Sequence, residues 1–159
     1  MKGDVKIIRH LNVIITNQLT AVHQYFLHSR MLQHWGLPRL AEKMLCQSNK
    51  QLCQCEQVVD RILFLEGVSN MQDVHKLKIG EDVPEIFTCN LSTESVHRTC
   101  LVEAIADCEA ARDYQTREIL MEILTESEKR IDWQEGQISL IQRVSLAAYL
   151  QEHMSVRED

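Results

Sequence analysis

Four long stretches of this chain repeat their inward-type residues at alternating spacings of three and four, with almost nothing inside them that breaks a helix. From about Ile7 to His34 the pattern runs Ile8, Leu11, Ile15, Gln18, Val22, Tyr25 and Ser29. From about Arg39 to Glu66 it runs Leu40, Met44, Gln47, Gln51, Gln54, Val58, Ile62 and Leu65. A 3.6-residue period sustained this long places one stripe of each helix against neighbouring helices. Only five Gly and two Pro occur in 159 residues, so long helices and few turns are expected.

The breakers that do occur mark the joints. Gly36 and Pro38 end the first helix and open the second, and Gly67 is expected to stop the second. Two helices of about 28 residues joined by so short a turn must be antiparallel neighbours. The stretch from Val68 to Glu81 has weak periodicity and leads into Asp82-Val83-Pro84-Glu85, an N-cap, an early proline and a capping-box acid. It reads as a long crossover, which lets helix three run parallel to helix two. Helix three then carries Phe87, Leu91, Glu94, Arg98, Leu101, Ile105 and Cys108. Helix four carries Leu120, Ile123, Ser127, Arg130, Gln134, Gln137 and Ile141, and Ser145 caps a short fifth helix. The expected fold is an all-α four-helix bundle in one domain over residues 1–159, with its long crossover between helices two and three.

Composition removes several functions. A net charge of -6 without a cluster of Lys and Arg argues against nucleic acid as a partner. No stretch reaches the roughly 18 apolar residues of a membrane span. The charged start Met1-Lys2-Gly3-Asp4 is unlike a signal peptide, so a cytoplasmic protein is expected. The six cysteines (Cys46, Cys53, Cys55, Cys89, Cys100, Cys108) contain no C-x-x-C pair and read as small core residues or surface thiols. Cys46, Lys50 and Cys53 share one stripe, where a thiol cluster is conceivable.

The seams also bring Gln18, Tyr25, Gln51, Gln54, Glu94, Ser127 and Arg130 toward the bundle centre. Buried polar groups cost about 1–3 kcal/mol each unless paired, so such a layer is a site or the remains of one. A carboxylate-bridged di-iron centre takes a Glu from each of two helices and Glu-x-x-His from each of two others. Here Gln51-x-x-Gln54 and Ser127-x-x-Arg130 stand at the places for those pairs. Neutral amides and a hydroxyl are poor ligands for hard cations, and Arg130 is a fixed positive charge. The expectation is that Arg130 occupies the metal space and pairs with Glu94, while the amides of Gln18, Gln51 and Gln54 complete the network.

Over its whole length the chain resembles the bacterioferritins. The segments MKGDVKII, QYFLHSRMLQHWGL, RILFLEGVSNMQD, KLKIGEDVPE, IDWQEGQISLIQ and LAAYLQ carry the resemblance. It implies a ferritin-like four-helix bundle with a short C-terminal fifth helix, assembled as a hollow cage of 24 subunits that stores ferric mineral. It also implies a ferroxidase centre with Glu at the positions of Gln18, Gln51, Glu94 and Ser127, and His at those of Gln54 and Arg130. Of these six only Glu94 retains its family residue, and the nearby tyrosine is kept as Tyr25. The catalytic residues of such a centre are therefore expected to be missing, and no intrinsic di-iron site is expected.

Haem b in that family lies on a two-fold interface between methionines at the position of Leu52, which has no lone pair to give iron. Haem is thus expected only at interfaces mixed with a normal subunit, and His23, one turn from Leu19 and Phe26 on the face expected near that pocket, is a candidate haem ligand there. On the family's inner surface, Cys46 and Lys50 replace a His and an Asp. The resulting expectation is an iron-storage cage subunit, silent at its own centre and co-assembled with a ferroxidase-competent bacterioferritin subunit, with a ferredoxin-type reductant as a further partner. The competing expectations are a homomeric ferroxidase using lumenal or surface carboxylates, and a thiol- or haem-binding module on the same cage.

Overall fold

The computed structural model describes residues 1–154. Five helices follow one another: α1 (Val5–His34), α2 (Pro38–Phe64), α3 (Val83–Ala110), α4 (Tyr114–Val144) and α5 (Leu146–His153). No strand occurs among the described residues, and no helix among them is long and apolar enough to cross a membrane.

Each boundary has a local cause. Asp4, Asp82 and Asp113 accept backbone N–H groups at the starts of α1, α3 and α4, and Pro38 occupies the first turn of α2. Gly36, at φ 78°, closes α1, with Leu37 N–H bonded back to the Leu32 carbonyl at 3.0 Å. The stop of α2 corrects the expectation placed on Gly67. The left-handed residue is Glu66 (φ 62°), and Gly67 N–H donates to the Ile62 carbonyl at 2.9 Å. Gly67 is needed for a different reason: a Cβ there would meet Ile8 and Ile62 side chains at 2.9–3.0 Å. Arg112 (φ 58°) ends α3 in the same way. Ser145 (φ 86°) both ends α4 and caps α5 by accepting from Ala148 N–H.

Contacts of the crossover, residues 65–82, show how the bundle is wound. Asn12 Nδ2 donates to the Val68 carbonyl, His75 N–H to Thr20 Oγ1, Lys78 N–H to Gln24 Oε1, and Gly80 N–H to His28 Nε2. The loop therefore climbs α1 from its N-terminal to its C-terminal half. α3 then descends antiparallel to α1, pairing His10 with Asp107 and Tyr25 with Glu94, and so runs parallel to α2 as the long connection implied. This explains why α1 buries more than one stripe. Asn17, Thr20, Gln24 and His28 are buried beneath the crossover, whose backbone groups would otherwise lack partners. His28 is held neutral: burial lowers its pKa, Nε2 accepts from Gly80, and Nδ1 donates to Asn90 Oδ1 at 2.8 Å.

The apolar core is in two parts. One gathers Ile7, Leu11, Ile15, Val58, Ile62, Leu101, Leu120 and Ile123. The other gathers Leu32, Leu40, Met44, Ile86, Phe87 and Tyr149, with Phe87 edge-on to both Trp133 and Tyr149. Cys55 and Cys108 belong to the first part, and burial pushes the Cys108 thiol up to about 12.

Arg112 makes the local cost of these turns measurable. A non-glycine residue in the left-handed region is strained by about 1–2 kcal/mol. Arg112→Gly is expected to raise the stability measured by chemical denaturation by up to about 1 kcal/mol, less glycine's extra unfolded-state entropy. A loss of stability would show that the Arg112 side chain contributes more than its backbone strain costs.

Candidate functional site

Between the two apolar parts lies a layer built around one carboxylate. Glu94 on α3 is fully buried. Its Oε1 accepts from Tyr25 OH of α1 at 2.9 Å, from Gln51 Nε2 of α2 at 3.1 Å, and from Arg130 Nε of α4 at 2.6 Å. Its Oε2 accepts from Ser127 Oγ at 3.0 Å. All four long helices therefore contribute a side chain to one small polar centre. The Glu94 and Arg130 side chains are 1% and 2% exposed, so solvent does not screen their ion pair. Burial, and then the neighbouring Glu94, hold the Tyr25 phenol well above its ordinary range, which keeps it a donor.

The expected pairing of Arg130 with Glu94 is present, but the expected amide network is only partly so. Gln51 bonds to Glu94. Gln18 is fully buried, and neither of its amide atoms has a partner in the chain. Gln54 is only half-buried, and it lines a surface groove with Glu42, Cys46, Lys50, Cys53 and Glu126. Cys46 and Cys53 are both exposed free thiols on that groove. The other residues singled out lie outside the centre, His23 and Leu52 both being exposed.

One residue escapes a reading of the seams. On α3 the expected stripe steps from Glu94 to Arg98. Arg98 is in fact exposed, reaching Glu128, and His97 is the buried neighbour. A step of three in place of four at this turn makes the difference, and it completes a Glu94-x-x-His97 pair on a helix where none was sought. His97 has no partner at either ring nitrogen. Burial is the largest influence on it and lowers its pKa to about 4, so it is neutral. Gln134, the seam residue one turn beyond Arg130, is fully buried as its place on the stripe implied, with both amide atoms unpartnered in the chain. Arg130 likewise leaves Nη1 and Nη2 without protein acceptors. Among the described residues no group of three or more His, Cys, Asp or Glu is placed to hold a metal ion.

This architecture defines the class of protein: the family described as ferritin-like domain matches residues 8–144. The chain is 35% identical to a bacterial ferritin of Synechocystis sp. over 98% of its length and 100% of that protein's. It is 37% identical to a bacterioferritin of Mycobacterium avium, covering 94% of each chain, and 36% identical to one of Rhodobacter capsulatus, covering 91% of this chain and 89% of that one. The chain belongs to the bacterioferritin family.

The ion pair yields a sharp expectation. Removing one partner of a buried pair leaves an uncompensated charge, worth about 3–5 kcal/mol, whereas removing both is far milder. Arg130→Met should destabilise by about that amount in urea unfolding, and the double variant Arg130→Met with Glu94→Gln should recover most of it. Equal losses in the single and double variants would mean that packing, and not charge, accounts for the effect.

His97 and His28 predict acid sensitivity. Both are depressed in the folded state, so the unfolded chain binds protons first as pH falls. Their contribution is full above about pH 6.5 and is lost as pH falls below it, for His97 down to about 4. For His97 alone this is on the order of 3 kcal/mol. His97→Leu should flatten the pH dependence of the melting temperature between neutral pH and the acid limit without lowering it at neutral pH.

Proposed function

We propose that this chain is a cage subunit of an iron store, silent at its own bundle centre, and that it co-assembles with a bacterioferritin subunit that oxidises ferrous iron. The observation that carries the reading is the contact of Arg130 Nε with Glu94 Oε1 at 2.6 Å inside a buried layer. A guanidinium already held by the only carboxylate of that layer opposes a pair of iron cations by charge and by volume. The residues beside it are three amides, a hydroxyl, a phenol and a neutral imidazole, which do not supply the anionic oxygen ligands that such ions require. The donor set at this centre does not fit a di-iron site, and no oxidation step is assigned to it.

Shell formation makes no such demand. What a subunit contributes to a cage is an ordered bundle with its outer faces, and the relatives' names as ferritins support iron as the stored cargo, held as ferric mineral in the lumen. Leu52 offers haem no axial ligand, so haem b would sit only where a partner subunit brings a methionine to a mixed two-fold. A cytoplasmic location and a ferredoxin-type reductant for releasing the iron complete the proposal.

Two measurements on the purified protein test it together. Anaerobic ferrous titration should show no saturable two-iron binding per chain, and stopped-flow oxidation should show only slow autoxidation. Native purification should recover cages that contain a second bacterioferritin chain. A homomeric cage with a fast, saturable ferroxidation phase would overturn the proposal.

A further inference from the structure

We propose that the groove between α2 and α4, apart from the bundle centre, is a reversible thiol-modification site, where Cys46 and Cys53 take up an acidic low-molecular-weight thiol from its disulfide. The groove is about 600 Å³ in volume, and Glu42, Lys50 and Glu126 line it beside the two thiols.

Access separates the six cysteines. Cys46 and Cys53 are exposed, Cys89 and Cys100 are half-buried, and Cys55 and Cys108 are buried. Burial raises the thiols of Cys55 and Cys89 as well as that of Cys108, which keeps them protonated. The attacking species in disulfide exchange is the thiolate, so these three are poor partners for it. Spacing then decides what the exposed pair can form. Seven residues along one helix separate Cys46 from Cys53 by about 10 Å, whereas a disulfide needs Cα atoms within about 7 Å. A bridge between them is closed off while α2 is intact, and each thiol is left to exchange with an external disulfide.

Lys50 selects the charge of that reagent. It is exposed, stands one turn from each cysteine on the same stripe, and makes no ion pair among the described residues. The two carboxylates of the groove do not cancel it. Glu126 is held chiefly by Lys129, at 2.9 Å, with a smaller influence from Lys50. Glu42 lies at the far end, one turn before Cys46. A carboxylate on the incoming disulfide pairs with Lys50 while one of its sulfurs meets either cysteine. In the exchange the cysteine thiolate attacks that sulfur, the bond between protein and reagent forms, and the reagent's own S–S bond breaks. The released thiolate takes a proton from solvent. Excess small thiol runs the same step backwards, and no oxidant other than the disulfide is required.

The test uses the assembled protein, first reduced, then incubated near neutral pH with oxidised glutathione or with the neutral hydroxyethyl disulfide. Adducts are counted by intact mass and placed by peptide mapping. Glutathionyl groups are expected on Cys46 and Cys53 ahead of the other four cysteines, and dithiothreitol should remove them. Lys50→Gln, at an exposed position, should lower the rate with oxidised glutathione relative to the neutral disulfide by about two- to fivefold at low salt. The double variant Cys46→Ser with Cys53→Ser should lose the fast phase. No adduct on the groove thiols, equally fast adducts on Cys89 or Cys100, a Cys46–Cys53 bridge in the folded protein, or an unchanged rate ratio in Lys50→Gln would overturn the assignment.

Discussion

A single buried contact, Arg130 Nε to Glu94 Oε1, sets the terms for the rest of the bundle. Two charges taken out of water are expensive, and the ion pair repays that cost only if the remaining lone pairs are also satisfied. The carboxylate meets this condition, with Tyr25, Gln51 and Ser127 all donating to it, whereas Arg130 leaves Nη1 and Nη2 without acceptors in the chain. The four long helices can bring those donors to one carboxylate only in a single register. A slip of α1 by one turn would remove Tyr25 and leave Glu94 short of a donor. The polar layer thus acts as a registry key between two apolar regions that could each tolerate some sliding.

The crossover depends on a second polar element, the side of α1 that faces away from α2. A loop laid along a helix carries backbone groups that no ladder satisfies. Here Asn12, Thr20, Gln24 and His28 supply the partners in the order in which the loop passes them. Gly80 makes the last approach possible, since a Cβ there would lie 2.3 Å from the Ile86 nitrogen at the start of α3. Winding, burial of α1 and entry into α3 are therefore one linked arrangement.

The helices, their joints and the crossover were legible because each rests on period and punctuation, which are local properties. So was the pairing of Arg130 with Glu94, since a cation and a carboxylate on facing seams have few alternatives. What escaped depends on neighbours outside the pattern. The seam of α3 turns inward at His97 and not Arg98 because the cationic residue can reach Glu128 at the surface while the imidazole can be buried neutral. The second buried stripe of α1 could not be read because nothing in α1 announces that a loop will lie on it. The left-handed positions fell on Glu66 and Arg112, ordinary residues at which turn geometry prevailed over propensity. Gln18 is buried as its place on the seam implied, but the bonds expected of its amide are not made, because burial follows from the seam and hydrogen bonding from side-chain reach.

The unpartnered atoms around the ion pair bear on how such a centre persists. Gln18, His97, Gln134 and the outer nitrogens of Arg130 are buried polar groups whose desolvation the chain itself does not offset. An apolar replacement of the whole layer would be expected to be as stable or more so. Stability alone therefore does not account for keeping a carboxylate, a guanidinium and an imidazole there. On the proposed reading the layer is what remains when a metal centre is exchanged for a charge-neutral one in a bundle whose register still relies on polar contacts at that level. Glu94 retains its four donors, Arg130 supplies the positive charge, and helix order no longer requires a metal ion to neutralise the carboxylate.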